Sequence, residues 1–573
     1  MLHEELNTLY TSNWQKAASI GIDMLRGEYG ASSYTKLLTA LAALAYKTRS
    51  ADLSTPIELQ KHIDTSITDF ATKGFLLGFA QEHWDMIVKY SNSANMKELK
   101  AAALFFSNDK SKGSSHPTPD CLSLLAGSLL DITSSDTSLD LCSGDSNTSI
   151  SLLRTTESSA ITAVEISTDC IIVSNIRSWL LDSAINIKQE NVLTMDHDAY
   201  KADKVFINAP FSIRSEFEFS NSQYSMLLNA IPRNDRADWG FILSAILCQN
   251  ELGRTVAVTH AGPLFRENRG VQAIREMLVK SGKLEAVITL PAGLYMPYTN
   301  IPTHLLVFSN NNTAVRMIDA SALGTQTMRV TTLSDEEVKS ICQAMNADSE
   351  NSKLISHKQL EANNFSLIPA SYLHDITTTI KNGVPLGKLA LSIQRGSTLS
   401  SKDLQALASD APTPYQYLML QNIQDNRVQK NLPFLKEIDA KNEKFTVSTG
   451  DLLISRMPPF KIAVMPDMGN QKVLANGNLF YLQLDSEKIH PVYAMLFLNS
   501  NKGTEMLNAF AQGAALVSIS RKSLEQVMIP MIPMKEQLEL VEKYESLISE
   551  LTTIEKQAAL VRNRIASLMG GED

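Results

Sequence analysis

An amide, a carbonyl that precedes a proline, and an aromatic face stand in consecutive positions at Asn208, Ala209, Pro210 and Phe211. These residue types can hold a flat ring that bears an amine. The Asn208 oxygen and the Ala209 carbonyl accept from an exocyclic NH2 while Phe211 stacks on the ring. The preceding Val205, Phe206 and Ile207 are the β-branched and aromatic residues of a buried strand. Pro210 has no N–H to give a ladder, so the chain leaves the sheet there. Open α/β sheets bind their ligands at such strand ends. Asn and Pro also punctuate ordinary turns, so the weight of this turn depends on the chain around it.

The surrounding elements supply that context. Spacing predicts a helix over 119–131, a strand over 137–142, a helix over 146–154, a strand over 160–165 and a helix over 168–184. A strand over 203–207, a helix over 238–252, a strand over 254–259, a helix over 268–281 and a strand over 284–289 follow. Alternation on this scale predicts an α/β fold, with a mostly parallel sheet, helices on both faces and right-handed connections. The first strand runs into Asp140-Leu-Cys-Ser143-Gly144-Asp-Ser146, where small residues let the backbone approach a ligand and a carboxylate can neutralise an ammonium group. The second ends at Glu165, where an acid commonly grips the two hydroxyls of a ribose. The full G-x-G-x-x-G is absent, which favours another adenosine-bearing cofactor over a hydride-transferring dinucleotide.

The chain of 573 residues has room for about three domains. Its 44% hydrophobic and 20% charged residues are those of a globular protein. Five widely spaced cysteines form no metal-spaced cluster, which argues for a reducing compartment and against structural zinc; no metal site is expected. The first residues lack a basic-then-apolar leader and no apolar run would span a bilayer, so a cytoplasmic protein without membrane contact is expected. The net charge of -9 is unevenly spread. Residues 381–530 hold 16 Lys and Arg against 12 Asp and Glu, a balance of +4 that leaves -13 elsewhere. If phosphates are met, they are met there.

At this point the chain resembles the modification subunit of type I restriction-modification systems, an S-adenosylmethionine-dependent N6-adenine DNA methyltransferase. His116-Pro-Thr118-Pro119 resembles the segment before the family's catalytic domain, Asp140 to Ser146 its cofactor loop, and Glu165 its ribose acid. Asn191 sits where an Asp or Asn meets the cofactor's adenine, and Asn208 to Phe211 resembles the catalytic Asn-Pro-Pro-Phe/Tyr turn. Gly253-Arg-Thr-Val, Leu264-Phe-Arg, Ile274-Arg275, Leu284 to Pro291, Met317-Ile-Asp319 and Asn364 to Pro369 continue the match, which covers roughly 115–370. The resemblance implies a Rossmann-like methyltransferase domain that binds S-adenosylmethionine through Thr118, Pro119, Asp140, Ser143, Gly144, Ser146, Glu165 and Asn191. It departs in two places: Ala209 replaces the first proline of the turn, and Ser146 replaces the last glycine of the loop. The expected domains are a helical domain over 1–106 that packs or covers without chemistry, a linker over 107–117, the catalytic domain over 118–345 and a connector over 346–384.

Residues 385–533 resemble one α+β target-recognition domain of a type I specificity subunit, with Arg395, Arg456, Lys461 and Lys472 as candidate DNA contacts. Over 534–570, Leu540, Tyr544, Leu547, Leu551, Ile554, Ala558, Val561, Ile565 and Leu568 follow the 4-3 spacing of a coiled-coil seam. Such a seam needs either a second copy of the chain or its own chain folded back. The resemblance therefore implies duplex DNA as substrate, a homodimer through this helix, and a restriction or translocase subunit as a further partner, since no G-x-x-x-x-G-K-[ST] loop is present. Two alternatives stay open. One is a catalytically silent methyltransferase fold that only binds DNA; the other is an RNA base or a protein glutamine as acceptor.

Overall fold

In the computed structural model, residues 2–569 are described apart from 27, 31–32, 108–116, 214–216, 218, 220–221, 232, 267, 328–329, 374–379, 381 and 513–517. His116 and most of the expected linker lie outside the described residues. The chain divides into two compact units, Met1–Leu373 and His374–Asp573.

The first unit opens with seven described helices, Leu2–Tyr10 to Met96–Phe105. Two matter for the site: α1 (Tyr34–Ser50) and α2 (Met96–Phe105). α1 runs through the middle of this layer, and Leu38, Leu41, Ala42 and Ala45 on it are completely buried. The α/β part follows, with α3 (Asp120–Leu130), β1 (Ser138–Leu141), α4 (Asn147–Thr155), β2 (Ile161–Glu165), α5 (Thr168–Leu180), β3 (Ile185–Gln189) and β4 (Ala202–Ile207). After these come α6 (Arg233–Cys248), β5 (Gln249–His260), α7 (Arg269–Lys280), β6 (Leu284–Thr289), β7 (Thr303–Phe308), β8 (Ala314–Asp319) and β9 (Ser352–Ser356).

The nine strands form one sheet in the order β9-β8-β6-β7-β5-β4-β1-β2-β3. β3, β2, β1, β4 and β5 run parallel, whereas β7 lies antiparallel between β5 and β6 and β9 is antiparallel to β8. The sheet is therefore mixed. Strand order reverses at β1, whose neighbours are β2 on one side and β4 on the other, and the crevice outside the ends of β1 and β4 is the switch point where such sheets bind ligands. The register pairs Leu141 with Ile207, so the loop after β1 and the turn at Asn208 leave the sheet side by side.

Besides β3 and β8, strands that the spacing did not predict, three elements differ from the sequence-based expectation. The helix expected to reach 252 stops at Cys248, because Asn250 donates to Asp203 (2.8 Å) and holds the chain along β4. β7 was not foreseen: its side chains are buried along its whole length, so no alternation marks it. β9 lies in the segment expected as a connector and pairs with β8 from Ser352↔Ile318 to Ser356↔Ala314.

The second unit holds β10 (Ala390–Arg395), β11 (Leu452–Ser455), β12 (Ile462–Val464) and β13 (Leu479–Leu484) in an antiparallel sheet ordered β10-β13-β11-β12. A five-stranded sheet packs nearby, and α8 (Met534–Met569) closes the unit. α8 is rooted by Gln537, whose amide accepts from the His490 N–H (2.9 Å) and donates to the Ile532 carbonyl (3.0 Å). Val541 packs into the unit's core, but Leu547 is 64% and Ile554 52% exposed. Among the described residues no helix is long and apolar enough to cross a membrane.

The central position of β7 sets a stability prediction. Leu305, fully buried between Val258 and Ile288, should cost about 3 kcal/mol when cut to alanine, because the cavity cannot collapse inside a sheet interior. Urea denaturation followed by circular dichroism measures it.

Candidate functional site

A cavity of about 270 Å³ opens at the switch point, close to the lower end of small-molecule pockets at about 300 Å³. Its wall includes Ser143, Gly144 and Asp145 from the loop after β1, Asn208 from the turn after β4, and Thr118 from the segment before α3. Thr118, Ser143, Gly144 and Asn208 were expected at the site from the sequence and the fold brings them together; Asp145 was not among the expected residues. The Asn208 amide nitrogen donates to the Thr118 hydroxyl (2.8 Å), which leaves Oδ1 as the acceptor. Tyr295 lies buried beneath, its hydroxyl toward Asn208 without reaching hydrogen-bond geometry, and burial pushes its pKa up. Phe211 is held edge-on by two rings, His260 at 5.9 Å and Tyr295 at 6.0 Å between centroids. Ala209 is half-buried against the core below β4.

The loop after β1 is shaped for a ligand. Gly144 has φ +55 and a Cβ there would meet no atom within 4 Å, so its bare backbone faces open space. The Ser143 hydroxyl, buried on the cavity wall, has no hydrogen-bond partner among the described residues. Ser146 adopts φ +63, the left-handed conformation that a glycine takes without strain. Its hydroxyl is buried and donates to Ser174 on α5 (2.8 Å), turned away from the cavity. An adenosine-bearing cofactor fits this donor set: an open glycine, an unpartnered hydroxyl and the carboxylates of Asp145 and Asp169.

Other expected residues support the wall instead of lining it. The Glu165 carboxylate accepts from the N–H groups of Gly144 (2.9 Å), Ile166 (2.9 Å) and Ser167 (2.8 Å), tying the loops after β1 and β2 together. Asp140 is buried behind the loop and accepts from Ser149 (2.6 Å). Asn191 accepts from the Leu193 N–H (3.0 Å) in its own turn, and Pro119 precedes the first residue of α3.

Two contributions had no signal in the local pattern. Arg177 on α5 is completely buried and reaches both the loop and the end of α2. The helical layer, expected to carry no chemistry, supplies Ser33, Thr35 and Lys36 to the cavity wall. Lys36 pairs with Asp169 (2.6 Å) and lies over the Phe75 ring. Chain separations of this size leave no motif to read.

In the second unit, Arg395 and Arg456 line one open cleft of about 730 Å³ together with Lys444 and Arg521. Arg456 lies over the Phe480 ring, and burial followed by the charge of Arg395 lowers its pKa. Lys461 and Lys472 are placed elsewhere. The Lys461 ammonium donates to the carbonyls of Leu420 and Ile423 (2.9 Å each), and Lys472 pairs with Glu443 (2.7 Å).

Residues 105–380 match the family described as N-6 DNA Methylase. Among solved structures the chain is similar to the methyltransferase subunit of a type I restriction-modification system from Streptococcus thermophilus. That match has 16% identity, covers 64% of this chain and 98% of that one, and has a TM-score of 0.45. It is also similar to the type IIG restriction endonuclease BpuSI at 14% identity, covering 92% of this chain and 74% of that one, with a TM-score of 0.47. No curated protein matches the chain.

The buried carboxyl of Asp140 makes stability depend on pH. Burial pushes its pKa up to about 7 from 3.8, a difference of about 4 kcal/mol at most. The folded chain thus binds this proton more tightly than the unfolded one, so stability is full below about pH 4 for this group and falls as pH rises toward 7. Asp140→Asn should flatten that dependence and raise the melting temperature at pH 8 relative to pH 5, read by thermal denaturation at both.

Proposed function

We propose that the protein is a site-specific DNA methyltransferase, a reading that the match of residues 105–380 to the N-6 DNA Methylase family supports. It moves a methyl group from S-adenosylmethionine to adenine N6 in duplex DNA, within or derived from a restriction-modification system. The observation that carries this reading is the shared cavity, in which Asn208 and the Ser143–Gly144 loop face one space.

S-adenosylmethionine supplies a methyl already activated by its sulfonium, so neither a metal nor a covalent enzyme intermediate is needed. Thr118, Ser143, Gly144 and Asp145 would hold it, and Glu165 keeps their loop in place. The target adenine is extruded from the duplex at a cost of a few kcal/mol and stacked on Phe211. Asn208 Oδ1 and the Ala209 carbonyl accept from its amine and orient the N6 lone pair, so positioning carries the catalysis. The two departures from the family pattern are compatible with this chemistry. Ala209 keeps its carbonyl, and the Ser146 hydroxyl is turned to Ser174.

In the second unit, the cleft of Arg395 and Arg456 suits the phosphates of duplex DNA better than the occupied Lys461 and Lys472. The apolar positions Leu547, Leu551, Ile554, Val561 and Ile565 of α8 are exposed, which favours a second copy over a helix folded back on its own unit. Two paired chains would read an inverted two-part site from the cytoplasm, with cleavage left to a partner subunit.

Asn208→Ala should abolish methyl transfer while DNA affinity stays within about twofold. Single-molecule sequencing of genomic DNA from cells expressing either chain tests this: a motif carrying N6-methyladenine only with the wild type is expected, and equal marks with both would refute it. Removing residues 536–573 should convert the dimer to a monomer by light scattering. An unchanged oligomeric state would exclude the seam.

A further inference from the structure

Behind the turn that carries Asn208, three polar groups form a closed circuit outside the substrate contacts described above. His260 ends β5 and Asp238 lies on α6; they are 4% and 7% exposed. The Gly262 N–H donates to His260 Nδ1 (3.0 Å), so Nδ1 is an acceptor and the ring proton sits on Nε2. Nε2 lies 3.1 Å from Asp238 Oδ2 and 3.2 Å from the Ser212 hydroxyl. The other Asp238 oxygen accepts from the Ser212 N–H (2.9 Å). Ser212 has φ +55, a conformation that a non-glycine residue holds only where its surroundings impose it.

This is not a nucleophile triad. In a triad the carboxylate meets Nδ1 and leaves Nε2 to take the serine proton. Here carboxylate and serine share Nε2, and Nδ1 is spent on backbone. The circuit instead acts on its neighbours: the imidazole lies edge-on to Phe211, at 67° between planes, and Ser212 directly follows Phe211. A Cβ at Gly262 would collide with the imidazole Cε1, so glycine is what permits this approach.

We infer that Asp238 and His260 are positioning residues for the methyl-acceptor turn, holding Ser212 in its left-handed conformation and setting the plane of Phe211, with His260 neutral and protonated on Nε2. The inference rests on the reading of Asn208 to Phe211 as the adenine-binding turn. Its consequence is geometric: without the imidazole, the Asp238 Oδ2 and the Ser212 hydroxyl lose the partner they share, and the edge that sets the Phe211 plane is gone.

The test uses the full chain, tritiated S-adenosylmethionine and whole-genome-amplified DNA, with kcat and KM measured at pH 8. His260→Ala should lower kcat about tenfold to hundredfold with KM for the cofactor nearly unchanged, the signature of a displaced rather than an unbound substrate. His260→Gln, whose amide can still donate to Asp238, should recover most of kcat. A glutamine variant no better than alanine would overturn the inference. Selective 13C-histidine labelling gives a readout independent of turnover: the resonance missing from His260→Gln should report the Nε2–H tautomer at pH 8. A charged or Nδ1–H ring there would also overturn the inference. The correct tautomer in a chain that methylates no DNA would count against the methyl-transfer reading alone.

Discussion

One buried guanidinium fixes the geometry on which the site depends. Arg177 donates to the carbonyls of Ala103 (3.2 Å), Phe106 (2.5 Å) and Asp145 (2.5 Å) and to the Asn147 side chain (2.9 Å), with the Asp145 carboxylate at 3.4 Å. Taking such a charge out of water costs several kcal/mol, so it persists only where nearly every donor finds an acceptor. Two of those acceptors end α2, and the others lie in the loop after β1 and at the first residue of α4. The helical layer and the loop after β1 therefore share one anchor, and neither can shift without stranding the charge. Asn175, two residues earlier on α5, adds a second tie to the helical layer through Thr72 (3.1 Å).

The remaining constraints reach the site from the sheet. Parallel pairing of β1 with β2 and β4 sets the height at which three chain segments emerge, and Glu165 then joins two of them through backbone N–H groups. Sheet registry is discrete, so a one-residue slip would move Asn208 to the opposite face. A cavity defined this way is made mostly of backbone and short side chains, which suits a ligand recognised by shape and a few hydrogen bonds.

Much of this was legible. The apolar runs of β1, β2, β4 and β6 and the helices between them follow their periodicities, and the small residues of 143–146 and the turn at 208–211 mark strand ends where ligands bind. What was not legible depends on chain-distant pairing. β7 is buried on both faces and gains its direction from β5 and β6, so its own sequence carries no sign of being antiparallel. Arg177 meets partners 71 and 74 residues away, and in isolation it reads as one basic residue on an amphipathic helix. Glu165 was legible as the acid that ends β2, but not as the clamp that its three backbone donors make it.

His260 shows where local reading could have gone further. Val256-Ala-Val-Thr-His260 is a buried strand that ends in a titratable residue, the same grammar that singled out Glu165 and Asn208. A histidine at a strand end on the ligand side of a sheet is costly to bury unless both ring nitrogens find partners, and here they find a backbone N–H and a carboxylate. Asp238 and His260 sit one step behind the turn at 208–211 and remove freedom from it, and short-range motifs pass over such positions because their partners are distant in the chain.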